Sequence, residues 1–169
     1  MHQVLSSDAS LPCGRNQLKK LIGAGRRRSR QKLSEQELIG LALKARKMAY
    51  TPYSNFQVGA ALLCEDGTVY TGCNIENAAY TPSNCAERTA IFKAVSEGRT
   101  KFSKIAVVGG KDTDTDLDYC APCGVCRQVM MEFVNPDTFQ VILGKTEEEF
   151  QVLTLSELLP KGFGPGNLA

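Results

Sequence analysis

A chain of 169 residues with 43% apolar and 22% charged content is sized for one domain with a substantial core. No apolar run approaches the ~20 residues that cross a bilayer, which excludes a membrane-spanning helix. The formal charge of +2 hides a division: residues 1–32 hold eight Lys and Arg against one acid, net +7, and the remainder holds twelve against seventeen, net −5. An acidic body argues against a nucleic-acid-binding domain.

Residues 1–32 are rich in Ser, Gly and Arg and close on Arg26-Arg27-Arg28-Ser29-Arg30. That composition predicts a disordered basic extension preceding a domain at 33–169, and it leaves nuclear import or organelle targeting open. Ser34 to Tyr50 reads as a helix. Ser34 caps it, Glu37 completes a capping box, and Leu38, Leu41, Ala42, Ala45 and Ala49 form its apolar stripe. Thr51-Pro52 is expected to end it. Phe56–Cys64 and Val69–Ile75 read as a hairpin around Glu65-Asp66-Gly67-Thr68. Further on come a helix at Cys85–Glu97 stopped by Gly98, a strand at Lys104–Gly109, a helix at Cys123–Val134 and a strand at Phe139–Leu143. A last strand at Glu149–Leu153 and a short helix at Leu155–Leu159 complete the series. The order implies one mixed sheet covered by helices, without a second domain.

Chemistry concentrates in the cysteines. There are seven, an odd count, with no secretory apolar segment and no N-x-S/T sequon. A reducing, cytoplasmic setting is expected, where a CxxC pair more often means metal or redox work than a structural bridge. Cys123 and Cys126 are i and i+3 at a predicted helix start, so their sulfurs share a face. Cys85 opens a second helix, and Glu87 follows two residues later. Three thiolates with a nearby carboxylate suit an open zinc site, which keeps its fourth position for water. Two rivals stand beside that reading. Cys120, Cys123 and Cys126 form C-x2-C-x2-C, the spacing of a closed four-cysteine zinc site or an iron–sulfur cluster. A redox CxxC is the other, although it gives Cys85 and Glu87 no role. Three thiolates on Zn²⁺ make a net negative site, so helix N-termini and Arg88 are expected to draw charge from the sulfurs. Asn74 and Glu76 alternate with Ile75 and so face one side; by spacing alone they are ordinary edge-strand polarity, and as an amide and a carboxylate they could also hold a sugar hydroxyl together. Asp112, Asp114 and Asp116 imitate a calcium loop, but Leu117 and Cys123 stand where Gly and Glu are needed.

The residues Cys85-Ala86-Glu87 and Pro122-Cys123-Gly124-Val125-Cys126 match the zinc nucleobase-deaminase signature, H-x-E…P-C-x-x-C, in its three-cysteine form. Phe56-Gln57-Val58-Gly59-Ala60-Ala61, Gly72-Cys73-Asn74-Ile75-Glu76-Asn77, Glu157-Leu158-Leu159-Pro160 and Phe163-Gly164-Pro165 lie in the matching order. From Leu33 onward the chain resembles the small homotetrameric cytidine deaminases. The resemblance implies a single-domain, three-layer α/β/α fold on a mixed five-stranded sheet. It also implies one Zn²⁺ per subunit on Cys85, Cys123 and Cys126, with Arg88 behind the thiolates. By the same resemblance, cytidine and deoxycytidine are expected to be hydrolysed to uridine and deoxyuridine in pyrimidine salvage. The alternatives are a deaminase of a modified cytosine nucleoside, against which Asn74-Ile75-Glu76-Asn77 favours the simple nucleoside, and a nucleic-acid editing protein using the basic arm. A zinc-activated water attacks C4 of the base, and Glu87 shuttles the proton. Phe56 corresponds to the family's base-stacking aromatic, Asn74 and Glu76 to its ribose 3′-hydroxyl ligands, and Ala86 to a backbone contact with the pyrimidine. Ala78, Tyr80 and Phe163 match positions that complete a neighbouring subunit's pocket. Cys120-Ala121 departs from the family, in which a Ser commonly stands just before the Pro.

Overall fold

The longest antiparallel register of the molecule belongs to β1, Phe56–Cys64, paired with β2, Val69–Cys73, on one side and β3, Phe102–Lys111, on the other. This computed structural model describes residues 33–168, so the basic extension and the expectations attached to it lie outside the described residues. The remaining elements are α1, Glu35–Arg46; α2, Ala86–Ser96; α3, Gly124–Met131; β4, Gln140–Gly144; β5, Phe150–Thr154; and α4, Leu155–Leu158. The sheet has five strands in the order β2-β1-β3-β4-β5, antiparallel throughout except for the parallel pair β3/β4.

Strand periodicity divides the core in two. Ala60, Leu62 and Cys64 of β1 face one side, with Ile105, Val107, Val141 and Leu143. Ala61 and Leu63 face the other, with Ala106, Val108 and Ile142. The second side is covered by Leu38, Ile39 and Ala42 of α1. The first is covered by Ala86, Ala90, Ile91 and Ala94 of α2 with Cys126 and Met130 of α3. Three layers on a mixed five-stranded sheet result, as expected. Gly59 lets α1 lie directly on β1, because a Cβ there would overlap the carbonyl of Ala42 and the backbone of Arg46.

The capping box at Ser34 is present, with the Glu37 N–H donating to Ser34 Oγ at 3.2 Å and the Ser34 N–H donating to Glu37 Oε2 at 2.8 Å. The helix stops at Arg46, short of the Tyr50 expected from its stripe. Sheet hydrogen bonding takes the chain away: the Tyr50 N–H donates to the Asn74 carbonyl at 3.0 Å and the Glu76 N–H to the Tyr50 carbonyl at 2.9 Å. The Arg46 guanidinium also leaves the helix to donate to the carbonyls of Gln57 and Lys111.

β2 likewise ends before Ile75. There the Asn74 side chain replaces strand backbone, accepting the Val58 N–H at 2.7 Å and donating to the Phe56 carbonyl at 2.8 Å. Ile75 then bridges Asn84 through two 2.9 Å hydrogen bonds. That bridge sets Glu76 opposite the segment that leads into α2.

Candidate active site

Cys85 and Cys123 occupy equivalent places, each the N-cap of its helix in extended backbone (φ −79°, ψ 158° and φ −66°, ψ 165°). Neither spends its side chain on capping, so both sulfurs are free to face outward from the helix ends. Cys126 follows in the first turn of α3 and is fully buried. The three Sγ atoms lie within 4.8 Å of one another, with Cys85 and Cys123 at 3.8 Å. Sulfurs ~2.3 Å from a tetrahedral zinc ion stand about 3.8 Å apart, so the donor set fits that metal. Cys120 is outside the cluster: its sulfur packs where a side chain on Gly109 would go, and burial pushes its thiol up to about 11. The four-cysteine alternative loses its fourth ligand.

The partial positive ends of α2 and α3 converge on these sulfurs. Arg88 Nη2 reaches Cys85 Sγ at 3.7 Å and the Ser83 carbonyl at 3.2 Å. Its Nε is buried with no hydrogen-bond partner among the described residues. Hydrogen bonds from Cys126, then from Arg88 and Cys123, hold the Cys85 thiol down to about 5, the thiolate form a metal requires. Glu87, 3% exposed, sits one residue into α2. Burial pushes its carboxyl up to about 7, and the charge on Cys85 adds to the effect.

A cavity of about 330 Å³ runs from Cys85 past Asn74 and Glu76 to Tyr53, Ser54 and Tyr80. Asn74 and Glu76 therefore line one space. Glu76 Oε2 accepts the N–H groups of Tyr53 at 2.9 Å and Ser54 at 3.3 Å, and Oε1 accepts the Ser54 hydroxyl. Those bonds hold the Glu76 carboxyl below its ordinary range, the Ser54 hydroxyl first among them.

The remaining expected residues are placed less uniformly. Phe56 is 40% exposed, with its ring edge against Gly109. Ala86 is fully buried; its first-turn N–H has no partner within the helix. Ala78 is exposed. Tyr80 is 78% exposed and lines the cavity of its own chain, its ring centroid 6.5 Å from that of Tyr53. Phe163 is exposed, and its carbonyl accepts from Gln128 Nε2 at 2.7 Å.

Sequence reasoning passed over Tyr53, Ser54, Ser83 and Asn84, which also line the cavity. Their signal was position alone: Tyr53-Ser54 stands just ahead of Phe56, and Ser83-Asn84 just ahead of Cys85.

Comparison with known proteins agrees with this geometry. Residues 32–142 match the family model described as the cytidine and deoxycytidylate deaminase zinc-binding region. The chain is 50% identical over 134 residues to a cytidine deaminase of Sporosarcina psychrophila, covering 79% of this chain and 94% of that one. It is 54% identical over 131 residues to the cytidine deaminase of Halalkalibacterium halodurans, covering 78% and 95%. Among solved structures, the cytidine deaminase from Burkholderia pseudomallei superposes with a TM-score of 0.70 at 47% identity, covering 78% of this chain and all of that one. The Mycobacterium tuberculosis cytidine deaminase gives 0.65 at 35% identity, covering 78% and 98%.

Proposed function

This chain belongs to the cytidine and deoxycytidylate deaminase family, and from that premise we propose that it hydrolyses cytidine and deoxycytidine to uridine and deoxyuridine with release of ammonia. The observation that carries the reading is the convergence of three sulfurs from two helix starts beside one buried carboxyl. Cys85, Cys123 and Cys126 would hold one zinc ion per subunit, which when bound would lower the pKa of a water molecule and so supply the nucleophile for C4 of the base. Arg88 and the two helix N-termini offset the charge of three thiolates. Glu87 takes a proton from the nucleophile and delivers it at N3 of the pyrimidine, then takes the second proton from the C4 hydroxyl so formed and passes it to the amino nitrogen, which leaves C4 as ammonia while the carbonyl forms. The Ala86 N–H and the Phe56 ring hold the base.

Asn74 and Glu76 bind the sugar. Asn74 spends its oxygen and one N–H on β1, which leaves one N–H; Glu76 has three acceptor positions filled, which leaves about one of four. One donor and one acceptor are what a single hydroxyl requires. The ionised Glu76 would also repel a phosphate at that position, which favours a free nucleoside over a nucleotide or a polynucleotide. Met48, Tyr50, Tyr53, Ile75, Tyr80 and Phe163 are large apolar side chains left exposed, surface of the kind subunits cover. Assembly as a homotetramer, with Ala78, Tyr80 and Phe163 bordering a neighbour's pocket, accounts for it. Cytoplasmic pyrimidine salvage suits the six described cysteines, all of which are unpaired.

The test is loss of the cytosine absorbance band from cytidine, with zinc counted per subunit. Turnover by the wild type and none by Glu87→Gln, at one zinc each, supports the reading. Bound zinc without turnover of cytidine or deoxycytidine overturns it.

A further inference from the structure

The turn that precedes β1 supplies none of the three sulfurs, yet its Tyr53 and Ser54 line the same cavity as Cys85. We propose that Ser54 is a positioning residue for the reaction, one that aims the Glu76 carboxylate at the sugar hydroxyl and ties it to the backbone of Phe56. This inference rests on Glu76 as a hydroxyl acceptor, the role given to it above.

The geometry starts with Asn55, whose φ of 55° lies in the left-handed region that Asn tolerates better than most side chains. Its N–H donates to the Thr51 carbonyl at 3.1 Å, and its own carbonyl accepts the Asp112 N–H at 3.0 Å, so the turn is pinned at both ends. The reversal brings Ser54 Oγ within 3.0 Å of the Phe56 N–H, which it accepts, while its own hydrogen goes to Glu76 Oε1. A hydroxyl has only one hydrogen to give, and here Glu76 receives it.

The two carboxylate oxygens are held differently. Oε2 takes two backbone N–H groups, from Tyr53 and Ser54, which no side-chain substitution removes. Oε1 has no donor other than the Ser54 hydroxyl among the described residues. By the count of acceptor positions, Oε1 is also the oxygen with a site to spare. Loss of the Ser54 hydroxyl therefore leaves Glu76 in place through Oε2 while the oxygen that meets substrate is free to turn. Ser54 is exposed and packs no core, so its effect falls on orientation rather than on folding. The Phe56 N–H loses its acceptor in the same change while its carbonyl stays on Asn74, which links the sugar end of the cavity to the base end through one hydroxyl.

The test compares kcat/KM for cytidine with that for 3′-deoxycytidine, using the full chain loaded with zinc. Ser54→Ala should lower the preference for cytidine about 10-fold, mainly through KM, the size expected for one hydrogen bond to a charged group. Ser54→Thr should keep the preference and Ser54→Val, its near isostere without the hydroxyl, should lose it. Zinc per subunit and melting temperature should stay at wild-type values in all three. An unchanged preference in Ser54→Ala and Ser54→Val, or an equal loss on both substrates accompanied by loss of zinc, overturns the proposal. Glu76→Ala separates the two layers of the argument. If it fails to reduce the preference, the sugar reading falls and this inference with it. If it reduces the preference while Ser54→Ala does not, only the role of Ser54 falls.

Discussion

Glu87 is the only charged side chain buried to this degree among the described residues, at 3% exposure. A carboxyl taken out of water without a cationic partner costs several kcal/mol if ionised, and its rise to about 7 shows that cost in the neutral form it favours. Packing does not require it, because its neighbours Ala86 and Ala90 already seal α2 against the sheet. Glu87→Gln keeps the shape and removes the titration. It should lower kcat by about 10²- to 10⁴-fold, the range for one general acid–base group, with zinc content and melting temperature no lower than wild type. A variant that loses zinc along with activity would instead make Glu87 part of the metal's support. Cys120 invites the opposite expectation. Its half-buried side chain packs against Gly109 and stands apart from the cluster, so Cys120→Ala should retain one zinc per subunit, while Cys85→Ser should not. Metal analysis of the two purified variants decides it.

At the scale of elements, helix starts and strand alternation were legible because they depend on local residue order. The capping box of α1, the alternation along β1 and the placement of Cys85 and Cys123 at helix starts all follow from neighbours in sequence. The ends of α1 and β2 were not legible. Each is set by partners distant along the chain: Tyr50 by Asn74 and Glu76, and Asn74 by Val58 and Phe56. Ser54 escaped notice for the same reason, since the carboxylate it serves is 22 residues away. One long-range pair offers a test of how such contacts stabilise an element. Lys104 Nζ of β3 meets Glu35 Oε1 at 2.5 Å, and the hydrogen bond from Lys104 lowers the Glu35 pKa first among its causes. A carboxyl lowered on folding stabilises the fold above its unfolded value and loses that contribution as pH falls through the folded one. Glu35→Gln should therefore be about 0.5–1 kcal/mol less stable than wild type at pH 7, the range for a partly exposed pair. The gap should narrow as pH falls below the unfolded carboxyl range and close below the folded value. Denaturant titrations at pH 7 and pH 3 measure it, and a gap no smaller at pH 3 than at pH 7 refutes the ion-pair account.

For the whole molecule, the metal site is also a seam. Cys85 comes from the helix that follows the β1/β2 hairpin, whereas Cys123 and Cys126 come from the crossover between the parallel strands β3 and β4. Few apolar contacts join α2 directly to α3 at their N-terminal ends, since Val125 and Cys123 are exposed there. Without an ion, two helix N-termini point their partial positive charges at one another across three sulfurs. An ion bound by the folded arrangement and not by the unfolded chain adds its binding free energy to stability, about 4 kcal/mol at a thousandfold excess over its dissociation constant. For a domain of this size that is on the order of 10 °C in melting temperature. Chelation should lower the melting temperature by about that much, and added zinc should restore it. Calcium should not, because three thiolates are poor ligands for a hard cation. Cys85→Ser should melt near the chelated wild type and respond to neither treatment. A melting temperature indifferent to chelator, in protein shown to have lost its zinc, would mean that β1 and β3 hold the two helices in register by themselves and that the metal serves chemistry alone.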